Sequence, residues 1–280
     1  MQTARTVLQK TVELFQGATS GVICLPENPK VDTIAAATSL YLGLTKLGKN
    51  VSLASSKPLK SELIAADKIQ EIISTSGDNL VISFPYTDGS ADRVDYYIQG
   101  DAFNVVVTPG KDFPKLKPEQ VSFGYSGGNV DFIVTIDCAS LKNLGSLYAD
   151  NQELFTGKKI INIARHLANT FFGTVNFVTR GVSSTSEVVL TILRSLNAEV
   201  DPDMASNLYQ GLVSATGNFT TPTITPETFE TAAYLLKQGA VKATEEKPQV
   251  RRTIKPPKDT EKDEEWLKPK IFRPGPGETS

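Results

Sequence analysis

The chain has 280 residues, 40% of them hydrophobic and 21% charged, and a formal net charge of −2. That is long enough for one large domain or two modest ones with a substantial core, and the composition is that of an ordinary globular protein. It excludes a strong global pull toward nucleic acid or acidic membranes, and no apolar run approaches the ~20 residues that a membrane helix needs.

The opening segment MQTARTVLQKTVELFQGA places Val7, Val12, Leu14 and Phe15 on one helical face, and lacks the continuous apolar core of a signal peptide. Cys24 and Cys138 sit inside apolar strand-like runs, as small buried hydrophobes rather than a disulfide. The expected setting is cytoplasmic. GVICLP reads as a buried parallel strand, DTIAAATSLYLGLTKLGK as a helix stopped at Gly48, and NVSLAS as a second strand. Strand, helix, strand at this spacing is a βαβ unit, which requires a mostly parallel sheet. SELIAADKIQEIIS is expected to add a further helix.

From about residue 79 to 130 the pattern changes. NLVISFPY, DRVDYYIQG, FNVVVTPG and EQVSFGYSGG are β-branched and aromatic segments divided by turn signals, which predicts an inserted antiparallel β meander. It would serve either to cover the sheet edge or as a platform for a partner. The parallel pattern resumes with VDFIVTIDCAS, a short helix around LKNLGSLYADNQELF, and the strands KKIINIARH and GTVNFV. Three helices follow. The first is capped by Ser183 or Ser184 with Glu187 in its first turn, the second starts at Asp201 and Pro202, and the third at Thr225 and Pro226. The fold class expected for residues 1–240 is α/β, a mostly parallel sheet flanked by helices.

Beyond residue 240 the composition shifts. The last 40 residues hold ten basic and eight acidic side chains and six prolines, so this segment carries +2 and the preceding chain −4. That composition predicts a disordered tail, residues 241–280. Inside it, EEWLKPKIFRPG gathers Trp266, the chain's only tryptophan, with Leu267, Ile271 and Phe272. Such an apolar island (about residues 264–273) is either a short docking motif for a protein partner or a segment that packs back onto its own domain.

Four segments in order, VICLPENPKVDTIAAATSLYLGLTKLGKNV, DFIVTIDCASLKNLG, INIARHLANTFFGTVNFVTRGVSSTSEVV and NLYQGLVSATGNF, resemble motifs I to IV of the DHH phosphoesterase superfamily. The branch they most resemble is that of the RecJ-related nanoRNases and pAp phosphatases. The resemblance implies a two-metal hydrolase, typically using Mn²⁺, whose acidic and imidazole ligands hold two ions about 3.5–4 Å apart. Here Pro26 stands at the motif I histidine position and Lys30 at its first aspartate, and Asp32 remains. Motif II keeps Asp137. The name-giving Asp-His-His reads Ala164-Arg165-His166, so one histidine of two is left, and it is the chain's single histidine. Ala215 replaces the motif IV aspartate. The glycine- and histidine-rich accessory domain of active members has no counterpart before the tail.

The resemblance therefore implies a vestigial metal site of Asp32, Asp137 and His166, with no catalytic residues and no cofactor expected. Without it, a strand-end histidine reads as a structural polar group. Two acidic positions are lost and two basic side chains gained, so Lys30, with Arg165, is expected to reach into the old cavity and pair with Asp32 and Asp137, whose burial alone would be costly. Lys30, Arg165 and the Ser183-Ser184-Thr185 turn would also suit a phosphate-bearing ligand such as short RNA or a nucleotide; the same turn reads equally as a helix cap. The function expected is that of a pseudoenzyme acting by binding, with a homodimer as a candidate assembly. The alternative is a weak phosphoesterase with a single loosely held Mn or Mg ion on Asp32, Asp137 and His166.

Overall fold

A computed structural model of the protein describes residues 4–73, 79–126, 128, 130–165 and 168–241. They belong to a unit spanning Met1–Ala243. His166 and the tail island of Trp266, Leu267, Ile271 and Phe272 lie outside the described residues.

Numbered in chain order, the main sheet is built from β1 (Ser20–Cys24), β2 (Asn50–Ala54), β3 (Ile69–Gln70), β8 (Phe132–Ile136), β9 (Lys159–Ala164) and β10 (Val175–Val178). They lie in the order β10-β9-β8-β1-β2-β3, and all pairs are parallel. The apolar runs of β1, β8 and β9 are buried on both faces, which is why they are continuous rather than alternating.

Side-chain alternation divides the core in two. Ile23, Phe132, Val134, Ile161 and Ile163 face the larger cluster, with Phe15 of α1 (Ala4–Gln16), Leu40 of α2 (Val31–Lys46), Val189 of α5 (Thr185–Ser195), Leu208 of α6 (Pro202–Ala215) and Leu235 of α7 (Pro226–Lys237). Val22, Cys24, Ile133 and Ile160 face the smaller one, with Leu147 of α3 (Ser146–Ala149) and Phe155 of α4 (Gln152–Gly157). Each fully buried Leu, Ile or Phe contributes about 1.5–3 kcal/mol, so the five-helix face carries most of the hydrophobic stabilisation. The predicted caps form: Ser184 Oγ accepts from Glu187 N, and an oxygen of Asp201 accepts from Met204 N. Both cysteines are free and buried, and burial pushes the Cys24 thiol up to about 12.

Two expectations need correction. The helix predicted in SELIAADKIQEIIS does not form among the described residues. A single 3-10 turn, Ala66–Lys68, leads into β3, which extends the sheet by a strand. The cause is tertiary: Ala65 adopts a left-handed backbone (φ 63°), and Asn207 on α6 binds both the N–H (2.9 Å) and the C=O (2.8 Å) of Ile64. A clamped backbone of that kind cannot join a helical ladder.

The insertion is antiparallel, as predicted, but nested rather than a meander. β4 (Asn79–Ser83) pairs with β7 (Ser122–Ser126), and between them β5 (Ala91–Gln99) and β6 (Ala102–Pro109) form a separate two-stranded hairpin. Its two-residue turn starts at Gly100 with φ 58°, the conformation that a first-position glycine supplies in hairpins of this length.

Candidate functional site

The strand order places the site. From β1 the chain winds one way to β2 and β3 and the other way to β8, β9 and β10, so the crevice above the carboxyl ends of β1 and β8 is a topological switch point. Four segments converge there. After β1, a loop anchored by Leu25 N to Ala54 O (2.9 Å) and Glu27 N to Asn143 O (2.8 Å) delivers the first turn of α2, which carries Asp32 and Thr33. β8 leads into Asp137, held in a left-handed backbone (φ 55°) that is costly for most residues and tolerated by aspartate. β9 ends at Ala164 and leads into Arg165, and α5 opens with Thr185 and Ser186.

The N-terminus of α5 is the keystone. Thr185 N donates to Asp32 Oδ2 (2.7 Å), while Ser186 N (3.0 Å) and Ser186 Oγ (2.7 Å) donate to Asp32 Oδ1. Asp137 Oδ2 accepts from Thr185 Oγ1 (2.7 Å) and from Thr33 Oγ1 (3.0 Å). Thr185 thus bridges the two aspartates through its amide and its hydroxyl. Helix amides carry a partial positive charge and have no intrahelical acceptor, so Asp32 caps them and is stabilised in return. Burial nevertheless pushes its carboxyl up to about 6, helped by the nearby charge of Asp137 and opposed by the bonds from Ser186 and Thr185.

Arg165 is the one cation in reach of Asp32 among the described residues. Its Nε lies 3.8 Å from Asp32 Oδ2, beyond hydrogen-bonding range, and has no hydrogen-bond acceptor among those residues. Lys30 does not share this role. It is exposed at the N-cap of α2, its carbonyl accepts from Ile34 N (3.0 Å), and it makes no ion pair among the described residues. The expected pairing of Lys30 with Asp32 and Asp137 is therefore corrected: the amides and a hydroxyl of α5 bond Asp32, and the hydroxyls of Thr33 and Thr185 bond Asp137.

At the start of α5, the expected place of a phosphate-bearing ligand, the protein's own carboxylates take the amides. Ser183 N and Ser184 N both donate to Glu187 Oε2 (2.8 Å each), and Ser183 Oγ turns away to Thr223 O and Thr228 Oγ1 (2.8 Å each). With Thr185 and Ser186 bound to Asp32, four successive amides are taken. Of the substituted positions, Pro26 is half-buried in the loop after β1, Ala164 is buried, and Ala215 ends α6 half-buried; none brings an ionisable group.

Sequence reasoning missed Thr33, Ser186 and Gly211. Thr33 follows Asp32 directly and Ser186 lies in the run SSTSE, so both stood beside residues already singled out. Gly211 gave no signal. A β-carbon there would strike Ser186 Oγ and come within 2.8 Å of Ala35 Cβ and 3.1 Å of Asp32 Oδ1, so only glycine lets α6 close over the cluster.

Residues 21–216 match the DHH family, N-terminal domain. The chain belongs to the DHH family. It is 28% identical over 105 residues to the probable bifunctional oligoribonuclease and PAP phosphatase NrnA of Streptococcus mutans, covering 38% of this chain and 32% of that protein. With the bifunctional oligoribonuclease and PAP phosphatase NrnA of Thermus thermophilus it shares 32% identity over 80 residues, 29% of this chain and 25% of that one. An exopolyphosphatase-related protein from Bacteroides fragilis has the same fold, with a TM-score of 0.59 at 16% identity over 85% of this chain and 58% of its own. The chain thus matches a quarter to a third of the length of these two NrnA proteins. Among the described residues, no helix is long and apolar enough to cross a membrane.

The described residues of this DHH chain do not fit a dinuclear centre. Pro26, Lys30, Ala164 and Ala215 offer no anionic or imidazole donor, and both oxygens of Asp32 are committed to α5 with a guanidinium alongside.

Proposed function

We propose that this protein is a catalytically degenerate DHH phosphoesterase homologue that acts by binding a protein partner, in the cytoplasm, without a resident metal. The observation that carries the reading is the engagement of both Asp32 oxygens by Thr185 N, Ser186 N and Ser186 Oγ. Three of the roughly four lone-pair sites of this carboxylate are taken up by the scaffold. Arg165 beside it makes divalent cations still less welcome, since like charges in a low-dielectric pocket repel strongly. The β insertion supports binding, because it is rich in exposed apolar side chains. A phosphate-bearing ligand at Arg165 is the weaker form of the binding reading, as the amides that would assist it are already capped.

The test is metal analysis of the purified chain combined with hydrolysis of a short RNA and of pAp in the presence of Mn²⁺. The reading predicts no stoichiometric metal and no turnover above background. A second reading, a weak metal-dependent phosphoesterase, is favoured by the relatives named oligoribonuclease and PAP phosphatase. Turnover that disappears in Asp137→Ala would establish that second reading and remove the first.

A further inference from the structure

The β5–β6 hairpin presents one largely apolar face. The cross-strand pairs Val94–Val107, Tyr96–Val105 and Ile98–Phe103 fall on it, and the Tyr96 and Phe103 rings stack with centroids 5.2 Å apart. The opposite face is mixed: it carries Arg93 and Asp95, joined by an ion pair at 2.6 Å, along with Tyr97 and Asn104. On the apolar face Val94, Tyr96, Ile98, Phe103 and Val105 are between 48% and 71% exposed. No hairpin residue belongs to either hydrophobic core.

Such a hairpin is unfinished as it stands. Two strands alone are marginally stable in water and need a third strand or an apolar cover. Both outer edges of β5 and β6 are unpaired among the described residues, a liability that proteins usually blunt. With aromatic side chains of about 150–250 Å² and aliphatic ones somewhat smaller, the face exposes on the order of 500 Å² of apolar surface. Doubled across a two-fold axis, that reaches about 1,000 Å², the lower bound for a specific interface.

The chemistry selects the occupant. The three cross-strand pairs on this face carry no charge and a single polar group, the Tyr96 hydroxyl, while the Arg93–Asp95 ion pair lies behind them. A surface of this kind is complementary to itself. Resting on the reading of the insertion as a protein-docking element, we propose that it is a homodimerisation arm: hairpins from two copies of this chain pack their Val94, Tyr96, Ile98, Phe103 and Val105 faces together in an isologous contact.

The mass of the full chain in solution, followed by sedimentation from 1 to 100 µM, tests this. A concentration-dependent species of twice 30.3 kDa is expected. The double variant Tyr96→Glu, Ile98→Glu should weaken it by more than about a hundredfold, because two charges would be buried in the contact. Asp95→Ala, on the other face, should leave it unchanged. Since a misfolded variant would also lose the dimer, hydrogen exchange of the unaltered chain is measured alongside: amides 94–107 should be protected at 100 µM and exchange faster at 1 µM. A monomer at every concentration, a dimer that survives the double variant, or exchange insensitive to concentration would overturn the proposal. A monomer would leave the non-catalytic reading untouched, since metal analysis and hydrolysis decide that separately.

Discussion

The carboxyl edge of the parallel sheet and the β5–β6 hairpin use their residues in opposite ways. At the sheet edge, Asp32 and Asp137 are absorbed into the scaffold and bonded to a helix start. On the hairpin, apolar groups that a core would absorb stand in solvent. A hydrogen-bonded carboxylate in a dry pocket is structural until something displaces its donors, whereas an uncovered apolar face is available to whatever fits it. Under the proposed function, the difference puts binding on the hairpin and away from the crevice at the carboxyl ends of β1 and β8.

The largest effect that would sharpen this contrast is expected from Asp32→Ala. It leaves Thr185 N, Ser186 N and Ser186 Oγ without their acceptor in a buried site, which should cost about 2–4 kcal/mol. Urea denaturation measures it, and an unchanged midpoint would mean that Asp32 is not structural. Gly211→Ala comes next. The added methyl group overlaps Ser186 Oγ and crowds Ala35, for a loss of about 1–3 kcal/mol in the same experiment.

A smaller effect is expected at the opposite end of the sheet, where Asp131 Oδ2 accepts from the amides and hydroxyls of Thr19 and Ser20. Those bonds, the Thr19 amide first, hold its carboxyl down at about 2 against an ordinary 3.8. A depressed folded-state value contributes stability that is present above pH 3.8 and is lost as pH falls through 2. Solvent screening limits it to less than about 1 kcal/mol. Thermal melts between pH 5 and 2 should show a shallower acid decline for Asp131→Asn than for the unaltered chain. The smallest effect belongs to the hairpin. Measured on the monomer at low concentration, Tyr96→Glu with Ile98→Glu should shift stability by no more than about 0.5 kcal/mol, as for a surface change. A large loss would mean that the hairpin belongs to the core, and the contrast would fail.

Much of the scaffold was legible because its signals are local. The continuous apolar runs of β1, β8 and β9, and the caps at Ser184, Asp201 and Thr225, each announce an element within a few residues. What was not legible depends on distant partners. Residues 61–74 carry helical periodicity, but Asn207, far along the chain, binds the backbone of Ile64 and the left-handed Ala65 ends any ladder. At the site, the aspartates and Arg165 could be read from their positions in the motifs. How the carboxylates are satisfied could not: an exposed Lys30 and a bonded Ser186 look equally able to reach Asp32 until α5 is placed.

The nesting of the insertion has a further consequence. Asn79 and Ser126 face each other across β4 and β7, so the chain leaves the body and comes back at a single doorway. An excursion anchored that way can lengthen, shorten or be exchanged during evolution without shifting the registration of any parallel strand. The hairpin is in that sense a replaceable fitting, free to acquire new recognition while the crevice above β1 and β8 is retained as masonry.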